Sequence, residues 1–229
     1  MIQNNLDMSA LMDSKTEKVA RIIRRIHQPE LKNLLVVGCG SGIEAAILSQ
    51  QLNVEVSGID IEAEFDEQAL KYAKLRRGDA TALEFEDNSF DFVFSYHALE
   101  HISEPRKALR EMYRVLKKGG GYWIGTPNKS RLVGYIGGKN TSFAEKIHWN
   151  LADWKARLTG KFQNELGAHA GFTASELSFL LSEVFPLVND MTETYFFEIY
   201  ANRQMMMKLI AQSGFSRFIY PSVYFSGVK

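Results

Sequence analysis

The stretch Leu34-Leu35-Val36-Val37-Gly38-Cys39-Gly40-Ser41-Gly42, with Asp60 eighteen positions beyond Gly42, constrains this chain most. Its apolar run reads as a strand buried on both faces. Three alternating glycines let the backbone turn sharply after the strand and leave room for a ligand. A second apolar run ends at Asp60, and an acid at such a strand tip can accept from ribose hydroxyls. Strand, glycine turn, helix and acid-tipped strand together predict a nucleotide-type cofactor platform.

The rest of the chain supplies more strand–helix alternation. Ser14-Lys15-Thr16-Glu17 reads as a capping box. Val19, Ile22, Ile23 and Ile26 continue it as a helix stopped by Pro29, expected at one sheet edge. Strands are expected at 34–38, 54–60, 73–77, 89–95 and 122–126. Helices are expected at 42–52, at 62–71 with Phe65, Ala69 and Leu70 inward, and at 105–117. Ser103 would cap the last of these, and Gly119-Gly120-Gly121 would end it.

From 128 to 171 the alternation fails. Gly134, Gly137, Gly138 and Gly160 interrupt that stretch, which reads as an insertion with short helices. Thr173-Ala174-Ser175-Glu176 is a second capping box, opening a helix to 183. A strand at 192–200, a helix at 202–213 and a strand at 222–228 follow. The expectation is a single α/β domain over 1–229, doubly wound, with a mostly parallel seven-stranded sheet and helices on both faces. A helical N-terminal extension (1–30) and an acceptor-side insertion or lid (129–172) complete it.

Composition excludes several classes. At 229 residues, 45% hydrophobic and 24% charged, the chain suits one globular domain. Cys39 is the single cysteine, so no intrachain disulfide forms. A reducing, cytoplasmic setting is expected, with Cys39 as a small buried residue. Met1 to Asp13 lacks a signal-peptide pattern, and no apolar window approaches ~20 residues. Residues 129–161 carry seven basic residues against two acids, a net of +5, so the remainder of this neutral chain is −5. Such asymmetry suits an anionic partner. No basic-aromatic repeat or recognition helix points to nucleic acid.

The glycine spacing discriminates between cofactors. Dinucleotide loops follow G-x-G-x-x-G/A, and Ile43 occupies the third position here. The pattern is G-x-G-x-G. It is accompanied by Gly58-Ile59-Asp60-Ile61, Gly78-Asp79-Ala80, Phe90-Asp91-Phe92-Val93-Phe94-Ser95, Leu99-Glu100-His101-Ile102 and Leu116-Lys117-Lys118-Gly119-Gly120. In this order the motifs resemble the class I S-adenosylmethionine-dependent methyltransferases, in particular small-molecule enzymes of the quinone O-methyltransferase type. That family has a Rossmann-like fold. The resemblance implies S-adenosylmethionine as cofactor, S-adenosylhomocysteine as product and no metal. It places Gly38, Cys39, Gly40 and Gly42 along the methionine and ribose, and Asp60 on the ribose hydroxyls. Ile61 would cover adenine, Asp79 and Ala80 would meet its polar edge, and Ser95 and Tyr96 would border the sulfonium. Val36 stands where family members often carry an acid.

Methyl transfer needs positioning and, for a hydroxyl or ammonium acceptor, a base. His101 and His97 are the candidates. Arg131, Tyr135, His148, Trp149 and His169 are candidate contacts for a small-molecule acceptor, with anionic, glycan and lipid-linked acceptors all left open. Three alternatives stay open. One is a non-catalytic S-adenosylmethionine-binding or partner module, and another is a nicotinamide-dependent reductase. The third is a zinc peptidase, because His97-Ala98-Leu99-Glu100-His101 matches H-x-x-E-H.

Overall fold

The computed structural model describes residues 15–27, 30–62, 64–134, 142–164 and 170–229. Seven strands form one sheet: β1 (Asn33–Val37), β2 (Glu55–Asp60), β3 (Lys74–Arg77), β4 (Phe90–Tyr96), β5 (Leu116–Pro127), β6 (Asn189–Asp190) and β7 (Ser222–Val228). Their order is β3-β2-β1-β4-β5-β7-β6. The five N-terminal strands run parallel, and β7 is antiparallel to both neighbours. This is the expected doubly wound architecture. The winding reverses between β1 and β4, where ligands of such sheets bind.

Alternation along the central strands builds two cores. Leu34, Val36, Phe92, Phe94 and Trp123 face α1 (Lys15–Ile26) and α2 (Ile43–Leu52). Leu35, Val37, Val93, Tyr122 and Ile124 face α3 (Pro105–Val115) and α5 (Ala174–Ser182). Helix α1 therefore lies on a face, not an edge: Val19, Ile22 and Ile23 are fully buried against the sheet. Its expected cap Ser14 and stop Pro29 lie outside the described residues.

Four local expectations are corrected. Residues 192–200 form a helix, α6 (Thr192–Ile199), not a strand. Thr192, Tyr195 and Phe196 are buried at helical spacing, and Asp190 Oδ1 accepts from the Thr192 N–H at 2.8 Å. Among the described residues of 62–71, the one helical element is a 3₁₀ turn at Ala69–Lys71. Asp66 donates its N–H to Ser41 O at 2.9 Å, which ties this stretch to the glycine loop. Strand β5 begins at Leu116, before the glycines. Leu116 pairs with Phe90 and Gly121 with Phe92, so the residues between bulge out. Glu104 replaces Ser103 at the start of α3 and makes no side-chain capping bond.

The irregular segment is a closed excursion. Lys129 N–H donates to Phe172 O at 3.0 Å and Phe172 N–H to Pro127 O at 3.1 Å. Where short helices were expected, its described residues include a helix of 16 residues, α4 (Phe143–Leu158), opened by a Ser142–Glu145 capping box. The Thr173–Glu176 box of α5 forms as expected. After α6 come α7 (Gln204–Gln212) and a four-residue α8 (Ser216–Ile219). Among the described residues, no helix is long and apolar enough to cross a membrane.

Candidate functional site

The first turn after β1 is pinned by backbone. Gly38 and Cys39 both donate to Ile59 O at 2.9 Å, and Gly42 N–H donates to Cys39 O at 2.8 Å. Gly38, Gly40 and Gly42 all have positive φ. A Cβ on Gly40 would meet no atom within 4 Å, so the loop leaves open space there. A Cβ on Gly42 would instead strike Leu75 at 2.0 Å, so that glycine serves packing. The Gly40 N–H donates to Asp60 Oδ2 at 2.7 Å, and the Glu62 N–H donates to Asp60 Oδ1 at 3.0 Å. The carboxylate at the tip of β2 is thereby held at the mouth of the turn.

A cavity of about 630 Å³ opens at this switch point. Gly38, Gly40, Asp60, Ile61, Asp79 and Ala80 line one part, and His97, His101 and Ser103 line another. Ile61 is 67% exposed, an apolar side chain left uncovered at the cavity. Asp79 Oδ1 accepts from both the N–H and the hydroxyl of Thr81, at 2.8 and 2.9 Å. Those bonds hold its carboxyl below the usual range. The volume falls within the ordinary range for small-ligand sites.

The histidines lie beside a buried acid. His97 sits at φ +53, and its N–H donates to Gly125 O at 2.8 Å. A bulky residue held there costs of order 1–3 kcal/mol, and such strain gathers at functional sites. Its Nε2 lies 3.3 Å from Ser222 Oγ. Glu100 Oε1 lies 3.9 Å from His97 Nδ1 and 3.9 Å from His101 Nε2, while Glu100 Oε2 is buried without a hydrogen-bond partner. Burial lifts the Glu100 carboxyl to about 7. Lost hydration, then the positive charges of Lys15 and Arg131, lower the His97 imidazole to about 4. His97 is therefore neutral near pH 7, and its imidazole is a weaker base than an ordinary histidine. Glu100 received no role of its own from the sequence, although an acid amid Leu99 and Ile102 was the available signal.

Several expected site residues lie elsewhere. Cys39 is buried, and its thiol is pushed up to about 12, first by burial. Ser95 is fully buried with its hydroxyl unpartnered. The Tyr96 hydroxyl bonds those of Tyr195 and Tyr224, at 2.9 and 3.2 Å. Cys39, Gly42, Ser95 and Tyr96 do not line the cavity. Arg131 is buried in a 3.1 Å ion pair with Asp153. His148 and Trp149 are exposed on α4. Tyr135 and His169 lie outside the described residues. Val36 is buried in the core and offers no carboxylate. The H-x-x-E-H reading needs both histidines on one helix. Here His97 precedes a single 3₁₀ turn, Leu99–His101, in left-handed backbone.

Fold and site define an α/β domain with a nucleotide-type cavity at the switch point of its sheet. Residues 35–124 match the methyltransferase domain family. A demethylmenaquinone methyltransferase of Thermotoga maritima is 30% identical over 183 residues, covering 77% of this chain and 75% of that one. Phosphoethanolamine N-methyltransferase 2 of Caenorhabditis elegans is 34% identical over 97 residues, 39% of this chain and 22% of that one. The Haemonchus contortus phosphoethanolamine N-methyltransferase 2 structure, in complex with S-adenosyl-L-methionine, superposes with a TM-score of 0.57. Its identity is 19%, over 93% of this chain and 52% of that one. The chain belongs to the class I S-adenosylmethionine-dependent methyltransferases.

Proposed function

We propose that this chain methylates a hydroxyl of a small, anionic acceptor, with S-adenosylmethionine as donor. The observation that carries the reading is the single cavity shared by the glycine turn with Asp60 and the pair His97 and His101. The cofactor supplies, when bound, a methyl group already activated on a cationic sulfonium. The chain holds it. Gly40 leaves room for it, Gly38 lets the turn pack against Ala98 at the cavity wall, Asp60 accepts from ribose hydroxyls, Ile61 covers adenine, and Asp79 and the Ala80 backbone meet the adenine edge. Cys39, Gly42, Ser95 and Tyr96 support the loop and the β4 tip from behind.

The acceptor must be aligned and deprotonated. His101 or His97 takes the acceptor proton, and the buried Glu100 carboxyl lies 3.9 Å from a ring nitrogen of each. Residues 129–172 are the acceptor-side insertion, with Arg131, Tyr135, His148, Trp149 and His169 as its candidate contacts. Arg131 supports this placement, because its charge acts on both His97 and Glu100.

Transfer of radiolabelled methyl from S-adenosylmethionine into fractionated cell extract tests the reading. Label should appear on an oxygen of a small acidic product. Cofactor binding with no transfer into any fraction would overturn it and leave a binding module. An amine acceptor is the second reading, favoured by the relatives named for phosphoethanolamine N-methylation. Label on nitrogen selects it.

A further inference from the structure

Helix α4 packs the wrong way round for a surface helix. An ordinary amphipathic helix turns its apolar stripe to the core. The inward residues of α4 are polar: Asp153 is buried, and Asn150 and Arg157 are half-buried. Asp153 pairs with Arg131 at 3.1 Å. Asn150 Oδ1 accepts from the Gly134 N–H at 2.7 Å, and Arg157 donates to Lys129 O and Arg131 O at 2.7 and 2.8 Å.

Large apolar residues are left exposed on α4. Phe143, Ile147, Leu151, Trp154 and Leu158 are 79%, 46%, 54%, 44% and 89% exposed. At 100° per residue they fall within an arc of about 80° along the whole helix. The Trp154 Nε1–H donates to Leu132 O at 2.7 Å, and exposed Leu132 and Val133 extend the stripe. A contiguous apolar face of this kind marks an interaction surface.

Charge selects the occupant. The stripe belongs to the +5 segment, 129–161, of an otherwise negative chain. Lys155 beside it and Lys161 just beyond are exposed. Arg131 is paired with Asp153 and Lys129 with Glu176, so the cations at the stripe are Lys155 and Lys161. A second copy docked through the same face would set these like charges against each other, whereas an anionic lipid surface brings the opposite sign.

We propose that α4 is a monotopic helix that lays Phe143, Ile147, Leu151, Trp154 and Leu158 into an anionic bilayer surface, with Lys155 and Lys161 on the headgroups. The inference rests on the geometry of α4 and its charge and is independent of the acceptor's identity.

Co-sedimentation of the full chain with two vesicle types tests it: phosphatidylcholine alone, and phosphatidylcholine with phosphatidylglycerol. Binding should favour the anionic vesicles and fall with added salt. Leu151→Asp with Leu158→Asp should weaken it by on the order of tenfold or more, with S-adenosylmethionine affinity unchanged. Lys155→Glu with Lys161→Glu should remove most of the preference for phosphatidylglycerol. Failure of the native chain to bind either vesicle overturns the proposal, as does equal binding by the double Asp variant. Concentration-dependent self-association that the double Asp variant abolishes, without vesicle binding, assigns the face to a second copy instead.

Discussion

The turn after β1 and helix α4 solve opposite problems. Around Gly38–Gly42 the apolar side chains face inward and backbone polar groups line open space. Along α4 the polar side chains hold the helix to the protein and the apolar ones are left outside. The first arrangement is local: strand, turn and Asp60 lie within 27 residues of one another. The second depends on Arg131, Gly134 and Asp153 meeting across the excursion. Burial of apolar area stabilises the sheet, whereas a buried ion pair sets the orientation of α4.

The largest expected effect breaks α4 away and spares the turn. Asp153→Ala leaves the Arg131 guanidinium buried without its carboxylate and should cost about 3–5 kcal/mol in thermal or urea unfolding. Affinity for S-adenosylmethionine in the folded protein should stay within about twofold, read by calorimetry. Equal loss of both would make α4 part of the cofactor site.

Next in size is a pH effect at the histidine end of the cavity. Burial raises Glu100 from its unfolded value to about 7. The folded state therefore binds the extra proton between those limits, and stability falls as pH rises through that window. Glu100→Gln should leave stability below about pH 4 almost unchanged. At pH 8 it should raise stability by up to about 3 kcal/mol, read from urea midpoints. In the native chain, turnover should rise as pH passes about 7 and the carboxylate forms. A variant that keeps this rise would show that Glu100 does not govern the histidines.

A smaller loss is expected in the turn. Asp60→Ala removes a carboxylate that takes the Gly40 and Glu62 N–H groups. Cofactor affinity should fall by about 2 kcal/mol, roughly 30-fold, by calorimetric titration. Undiminished binding would cancel the ribose assignment. The smallest effect belongs to the exposed stripe. Leu158→Lys should change unfolding free energy by less than about 0.5 kcal/mol, because that side chain is 89% exposed. A larger loss would mean that the stripe is packed.

Sequence reading reaches furthest where chemistry is encoded by neighbours. The glycine spacing, Ile43, Asp60 and Gly78-Asp79-Ala80 carry the expectation of a cofactor end, and the structure brings Gly38, Gly40, Asp60 and Asp79 to one cavity. It failed where partners are distant. Thr192-Glu193-Thr194-Tyr195-Phe196 has strand-like composition, yet stacking of Tyr195 on Tyr224 at 3.8 Å places it on a helix. Leu116 reads as the end of a helical stripe until its pairing with Phe90 starts a strand. Tyr96 reads as a cavity residue until Tyr195 and Tyr224 take its hydroxyl.

By itself, then, the sequence determined the winding of the sheet, the open turn at Gly40 and the acids beside it. Those features follow from hydrophobic period, glycine's missing Cβ and short spacing. Only the tertiary structure decided that Glu100 lies buried between His97 and His101, and that α4 shows its apolar side to the outside. Both depend on desolvation and on charges brought together from distant parts of the chain, which no local pattern records.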